Sequence, residues 1–407
     1  MPIARILLPF AFGYLVSYCF RVINAAIAPH LARDLNLGPG DLGLLTGVYF
    51  LAFATFQLPL GLLLDRFGAR RTEAVLLGFA VAGALLFALA ESFAQLLVGR
   101  ALIGLGVSAC LMAAFKAFVV WFPRERLPLV NGCQMAAGGM GALAATAPVT
   151  AALTIMGWRE IFLVLAVATA LAALAVWRIV PERPQDGPPA SARELLAGFG
   201  SIFTSRLFWR AAPLTVASQA SFLAVQGLWS GPWLRDVAGF PPAEVGRHLL
   251  LIAAAMVAGF LGIGGLAERL GRLGIPAIAV AIGAMACFML SQAMLAAGAT
   301  PYLTAAWIAF GFFGTAGILP YAALSQRFPA ALAGRLNTAL NVLVFVAAFA
   351  QQWWIGALLE RWPATTASAY APAGYTAAFA IMLLLQAAAL AWFFLAPRFD
   401  PPAGHPV

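Results

Sequence analysis

Charge is what this chain has least of. Of its 407 residues, 10% are Asp, Glu, Lys or Arg, while 63% are hydrophobic and the mean hydropathy is +0.92. A soluble domain carries about 25% charged residues. So few charges cannot cover a water-facing surface, which excludes a soluble globular domain and a disordered chain. The net charge of +9 is scattered among apolar runs rather than gathered in a patch, so a nucleic-acid-binding role is excluded too. Only four cysteines occur, Cys19, Cys110, Cys133 and Cys287, all inside apolar runs and without metal-ligand spacing. They read as small buried hydrophobes, and no disulfide scaffold is expected. The three histidines, His30, His248 and His405, lie at helix ends or in the tail, so no His-based triad can be assembled. No phosphate-binding loop is found. An enzyme is not expected, and no cofactor is called for.

What the chain has in place of charge is long apolar runs. A spanning helix needs about 20 apolar residues, and at roughly 30 residues per helix and loop this length holds about a dozen. The runs fall at 6–29, 43–64, 73–92, 95–120, 129–155, 161–180, 210–234, 248–267, 275–297, 302–325, 337–359 and 375–396. A β-barrel would need alternating segments of about ten residues instead. The first run begins like a signal peptide after Arg5, but it continues well past Ser17 and reads as an uncleaved span. The organisation is residues 1–180 with six spans, a polar linker at 181–209, and 210–407 with six more. Four prolines mark the linker: Pro181, Pro184, Pro188 and Pro189. Arg193-Glu194-Leu195-Leu196 there suggests a short interfacial amphipathic helix. With both termini inside, 16 of the 24 basic residues fall on the inner side, so the positive-inside rule predicts N-in and C-in.

The two halves repeat. Gly61-x-x-x-Asp65-Arg66-x-Gly68 follows the second span, and Gly264-x-x-x-Glu268-Arg269-x-Gly271 follows the eighth. The same offset pairs Pro29 with Pro232, Asp41 with Glu244 and Gly43 with Gly246. Parallel repeats of this kind are one of the transporter plans, with a substrate site between the halves near mid-membrane. Gly61-x-x-x-Asp65-Arg66-x-Gly68 with Arg70 and Arg71 resembles the signature loop of the major facilitator superfamily. Arg100-x-x-x-Gly104-x-Gly106 resembles its second motif. Ala69 departs from the pattern, where a basic residue is usual. The resemblance covers the whole chain. It implies an all-α membrane protein of two six-helix bundles related by a pseudo-two-fold axis, with a central cavity lined by the first, fourth, seventh and tenth helices. It also implies gating by Gly61, Asp65, Arg66, Gly68 and Arg70, with Glu268, Arg269 and Gly271 as their second copy. On physical grounds Gly61 and Gly68 permit close approach or a tight turn. Asp65 can pair with Arg66 or with a helix N-terminus. A solvated turn that serves only topology is the competing reading.

Three cations lie within spans: Arg21, Arg100 and Lys116. A charge at mid-bilayer costs at least about 2.5–3.5 kcal/mol, so each is a functional candidate. No Asp or Glu is expected deep in a span, since Glu73, Glu91, Glu160 and Glu360 fall at helix ends, and the cations therefore lack evident acidic partners. Tyr14, Ser17, Tyr18, Arg21 and Asn24 fall within an arc of about 120° on the first span. The guanidinium fork suits a carboxylate or phosphate. Lys116, the only lysine, either binds an anion or carries a proton, or else snorkels to the interface. Arg100 is read as coupling or structural. Gln219 and Gln226 on the seventh span, Tyr321 on the tenth and Asn341 on the eleventh complete the candidate substrate set; interhelical hydrogen bonds explain them equally well. Met285-x-x-x-Met289 has soft-metal spacing but reads as core, and no metal site is expected.

The expectation is a secondary transporter that moves a small organic anion, bearing a carboxylate or phosphate, across a bacterial inner membrane by alternating access. Its partners are the small-molecule substrate, a proton or counter-anion, and the lipid bilayer; the chain is expected to act as a monomer. Efflux of an amphiphilic or drug-like compound is the alternative. The glycine-rich motif of drug–proton antiporters is incomplete here, because Pro148 stands apart from Gly138-Gly139-Met140-Gly141. A non-transporting membrane sensor and a metal importer rank lower.

Overall fold

The computed structural model describes residues 2–123, 126–181, 192–298, 301–329, 332–363 and 369–396. These fold as helices: α1 (Pro2–Val22), α2 (Asn24–Leu35), α3 (Pro39–Ala88), α4 (Phe93–Gly106), α5 (Cys110–Trp121), α6 (Leu127–Ala144), α7 (Ala147–Ala152), α8 (Trp158–Ile179), α9 (Ala192–Phe203), α10 (Arg206–Ala224), α11 (Ser230–Asp236), α12 (Pro242–Arg272), α13 (Ala277–Ala296), α14 (Leu303–Phe313), α15 (Leu319–Ser325), α16 (Ala333–Leu359) and α17 (Pro372–Leu395). A π-helical turn, Val225–Trp229, joins α10 to α11, and a 3₁₀ turn, Gly314–Ile318, joins α14 to α15.

Among the described residues, ten helices are long and apolar enough to cross a membrane. The chain is an all-α, multi-pass membrane protein. Two further features fit the expectation of twelve spans. First, the 50-residue α3 is bent at Gly68, whose φ of 76° lies in the region open to glycine. Second, α10, the π turn and α11 run on as one helical stretch from Arg206 to Asp236. The second copy of the loop folds differently. There α12 continues helically through Gly271, and the left-handed turn is made by Gly274 with φ 82°. The linker prolines Pro184, Pro188 and Pro189, and His405, lie outside the described residues, as do the side chains of Arg193–Leu196; the backbone of 192–203 is helical.

Small residues let the halves touch. A Cβ on Gly43 of α3 would run into the Gln352 carbonyl of α16, and one on Gly356 into the Pro39 carbonyl. Gly231 of α11 abuts the Ala25 carbonyl of α2, and Gly246 of α12 abuts Thr150 of α7. The Gly40 amide donates to Glu360 at 3.0 Å. These contacts gather at one end, the Glu360 side. The opposite end carries the Gly68 turn and is the Asp65 side.

Candidate functional site

All four helices expected to line the centre are interrupted near their middles. The first breaks at Ile23 between α1 and α2, and the fourth at Val107–Ala109 between α4 and α5. The seventh has its π turn and the tenth its 3₁₀ turn. Interrupted helices free backbone groups and re-aim side chains, and π turns recur at functional sites.

Around these breaks lies a cavity of about 260 Å³, walled by both halves. Tyr14, Tyr18 and Arg21 line it from the N-terminal half; Gln219, Gln226, Tyr321 and Asn341 line it from the C-terminal half. Seven of the nine candidate substrate residues thus share one space. Arg21 is 8% exposed. Its guanidinium carbon sits 4.5 Å from the centroid of the Tyr18 ring and 5.5 Å from those of Phe53 and Phe345. Phe53 and Phe345 come from opposite halves and meet at 4.4 Å. Among the described residues no carboxylate pairs with Arg21, and its Nε has no hydrogen-bond partner. Aromatic faces stabilise a cation without neutralising it. Tyr321 donates to Asn341 Oδ1 at 2.9 Å, and Gln226 Nε2 lies 3.0 Å from Met256 Sδ.

Two candidates lie elsewhere. Asn24 comes after the break at Ile23, so the arc counted through an unbroken helix does not carry it into the cavity. It is buried and donates to Thr46 at 2.8 Å. Lys116 is not among the cavity-lining residues. Its Nζ pairs with Asp65 Oδ1 at 2.6 Å and donates to the Leu64 carbonyl at 2.8 Å. The expectation of a cation without an acidic partner is corrected for Lys116: the fold brings Asp65 to it from 51 residues away. Asp65 accordingly pairs with Lys116 rather than with Arg66, which is exposed. Arg70 lies 5.4 Å from the Trp177 ring. Gly61 has open space where a Cβ would go, so the expected close approach is absent there; Gly68 does make the expected turn. In the second copy Glu268 pairs with Arg272 at 2.6 Å, while Arg269 is exposed and Gly271 meets nothing within 4 Å.

Arg100 is fully buried and outside the cavity. Its Nη2 donates to the Phe20 carbonyl at 2.8 Å, beside the break in the first span, and the guanidinium lies over Tyr49 at 4.9 Å. A further correction concerns acids. Glu73 is not at an exposed helix end: it is 0% exposed and neither carboxyl oxygen has a hydrogen-bond partner. The sequence reading also missed Phe53, Phe345 and Gln57. Nothing distinguishes these two phenylalanines from their many neighbours until the halves are docked. Gln57 was a polar residue inside an apolar run and so was available as a signal; it donates to the Ser108 carbonyl at 3.0 Å, at the break in the fourth helix.

A second cavity, about 730 Å³, lies on the Glu360 side, between Pro29, His30 and Arg33 of α2 and Arg235, Phe240 and Tyr370 of the other half. Asp236 anchors its rim. The Asp236 side chain is fully buried, pairs with Arg235, accepts from Tyr375 at 2.8 Å and accepts from the Tyr370 amide at 3.1 Å. Burial pushes the Tyr370 phenol up to about 12 despite the nearby Arg235. Along the first helix Arg21 lines one cavity and Ala25 the other; along the seventh, Gln226 and Gly231 do so. The partition is about one helical turn thick on each.

Residues 10–352 match the sequence profile of the Major Facilitator Superfamily. The chain belongs to that superfamily. Among curated superfamily-like relatives, it is 29% identical over 190 residues to the nitrate/nitrite transporter NrtP of Nostoc punctiforme, covering 44% of this chain and 38% of the relative. It is 29% identical over 177 residues to the hexuronate transporter of Escherichia coli K12, covering 43% and 40%. The chain thus spans less than half the length of these two. A longer match, 26% over 385 residues, covers 81% of the chain and 70% of the tetracenomycin C resistance and export protein of Streptomyces glaucescens. The fold is similar to that of the solved bacterial homolog of the human lysosomal transporter Spinster, in its inward-facing and occupied conformation, with a TM-score of 0.74, 18% identity and 97% coverage of both chains.

Proposed function

We propose that this superfamily member is a secondary transporter of small organic anions bearing a carboxylate or related acid group, working by alternating access. The observation that carries this reading is Arg21, a guanidinium with no carboxylate partner among the described residues, held by aromatic rings in a cavity both halves build. A buried cation with no counter-charge is costly, and an anionic substrate entering the cavity offsets that cost. Tyr14, Tyr18, Gln219, Gln226, Tyr321 and Asn341 supply further hydrogen-bonding groups around it. The nitrate and hexuronate relatives, each named for an anion, support the same class. We assign Arg100 to bracing the first helix at its break, and Asp65 with Lys116 to gating rather than binding. The domain plan is bundles at 1–180 and 210–407 with a linker at 181–209, both termini on the cytoplasmic side of a bacterial inner membrane, acting as a monomer.

The test is uptake of radiolabelled glucuronate and nitrate into proteoliposomes. Arg21→Gln is expected to abolish uptake while the protein still folds and inserts. Arg21→Lys recovers little, because a compact ammonium loses the planar fork and the stacking. Wild-type rates from Arg21→Gln would sink the anion reading. Export of an amphiphilic compound is the second reading, favoured by the apolar share of the wall, which includes Met112, Phe115, Met135, Phe222 and Phe260. Thermal stabilisation of the purified protein by hydrophobic cations but not by glucuronate or nitrate would select it.

A further inference from the structure

We propose that Glu73 is a proton-binding site whose charge state sets the position of the first span against the rest of its half. The coupling it implies rests on the transport reading above; the site itself does not. Glu73 stands five residues beyond the Gly68 turn, on the second limb of α3. Other acids in this protein have partners: Asp65 has Lys116, Asp236 has Arg235, and Glu268 has Arg272. Among the described residues Glu73 has none, and it is fully enclosed. No cation forms an ion pair with it among the described residues.

Its surroundings explain the enclosure. From α1, Gly13 faces the carboxyl so closely that a Cβ there would lie 2.7 Å from Oε1. From its own helix Leu77 closes the slot. From α5 comes Cys110, a free and fully buried cysteine. Gln134 of α6 ties α1 to α5 by bonding the Phe10 and Cys110 carbonyls, at 3.2 and 3.3 Å. A fully buried slot in which no cation pairs with the carboxyl, among the described residues, accepts a neutral carboxylic acid. An isolated carboxylate in the same place costs several kcal/mol.

Losing the proton therefore works against this packing. The anion is solvated only if α1 withdraws from α3 or the side chain swings out, and Gly13 lies next to Tyr14 on the helix that carries Tyr18 and Arg21. A proton on Glu73 thus favours the arrangement described here, and its release favours another in which α1 is displaced. By linkage, the arrangement that the proton favours also binds it more tightly. The only bond made or broken is the carboxyl O–H; the proton is taken from water on one side and returned to water on the other.

The experiment has two arms. In the first, wild-type proteoliposomes are treated with dicyclohexylcarbodiimide, which attacks protonated carboxyl groups in apolar surroundings, and the Glu73 peptide is followed by mass spectrometry from acid to alkaline pH. Labelling that falls as pH rises supports the proposal. Equal labelling throughout, or none, overturns it. In the second, Glu73→Gln is expected to retain glucuronate exchange but lose accumulation driven by an inward proton gradient. Accumulation with wild-type pH dependence would overturn the proposal. If neither glucuronate nor nitrate is carried by the wild type, the anion reading fails while the labelling arm still decides the proton site.

Discussion

Lys116 and Asp65 show how one contact reassigns two residues. Each looked like half of a different device, a buried cation and a loop acid. Their 2.6 Å pair joins the start of the Gly68 turn to the end of the fourth span within one half. Both side chains are part-exposed, so the pair contributes on the order of 1 kcal/mol or less to stability. Its importance lies in the position of the turn. Asp65→Asn and Lys116→Gln are each expected to leave Tm and ligand affinity nearly unchanged and to slow exchange. Because they break the same contact, the double variant should be no slower than the worse single one. Exchange rates per bound ligand check this; rates that multiply would show two independent roles.

At the scale of elements, the interruptions in the four central spans matter more than the spans' regularity. Three of the breaks sit beside a polar contact: Arg100 on the Phe20 carbonyl, Gln57 on the Ser108 carbonyl, and Gln352 on the Ala224 carbonyl at 3.0 Å. Such side chains satisfy backbone groups that a break leaves free in an environment without water. Helix packing elsewhere depends on missing side chains. A Cβ on Gly141 of α6 would run into the Leu15 carbonyl of α1. Gly141→Ala is therefore expected to destabilise by about 1–3 kcal/mol, as overpacking does, and to lower Tm in a detergent thermal-shift assay. Gly61→Ala, with open space around it, serves as the control and should leave Tm unchanged or slightly raised.

At the scale of the whole molecule, the halves are clasped on the Glu360 side, and the central cavity reaches toward the Asp65 side through Phe115 and Asn337. A one-turn partition separates the two cavities. Gly43→Ala would wedge the clasp against the Gln352 carbonyl. It is expected to shift the population toward the form open on the Glu360 side, read as faster maleimide labelling of a cysteine placed at Ala25. Unchanged labelling would count against the clasp. For topology, a periplasmic reporter fused at Pro188 should be inactive and one fused at Pro241 active. The reverse pattern would invert the proposed orientation.

The sequence by itself determined the class, the placement of the apolar spans and the internal repeat. It also placed most of one polar stripe, because Tyr14, Tyr18 and Arg21 share a single unbroken helix where 3.6-residue periodicity holds. These properties are local: bilayer thickness and side-chain hydropathy act on each segment separately. Tertiary structure decided the rest. Asn24, just past the break at Ile23, is taken up by Thr46 rather than by the cavity. Lys116 gained an acid because a turn 51 residues earlier folds back upon it. Glu73, one turn into its limb of α3, is buried because neighbouring helices enclose it, and enclosure between helices cannot be read from depth along one of them. Phe53 and Phe345 became the walls around Arg21 only when two halves, far apart in sequence, closed on each other.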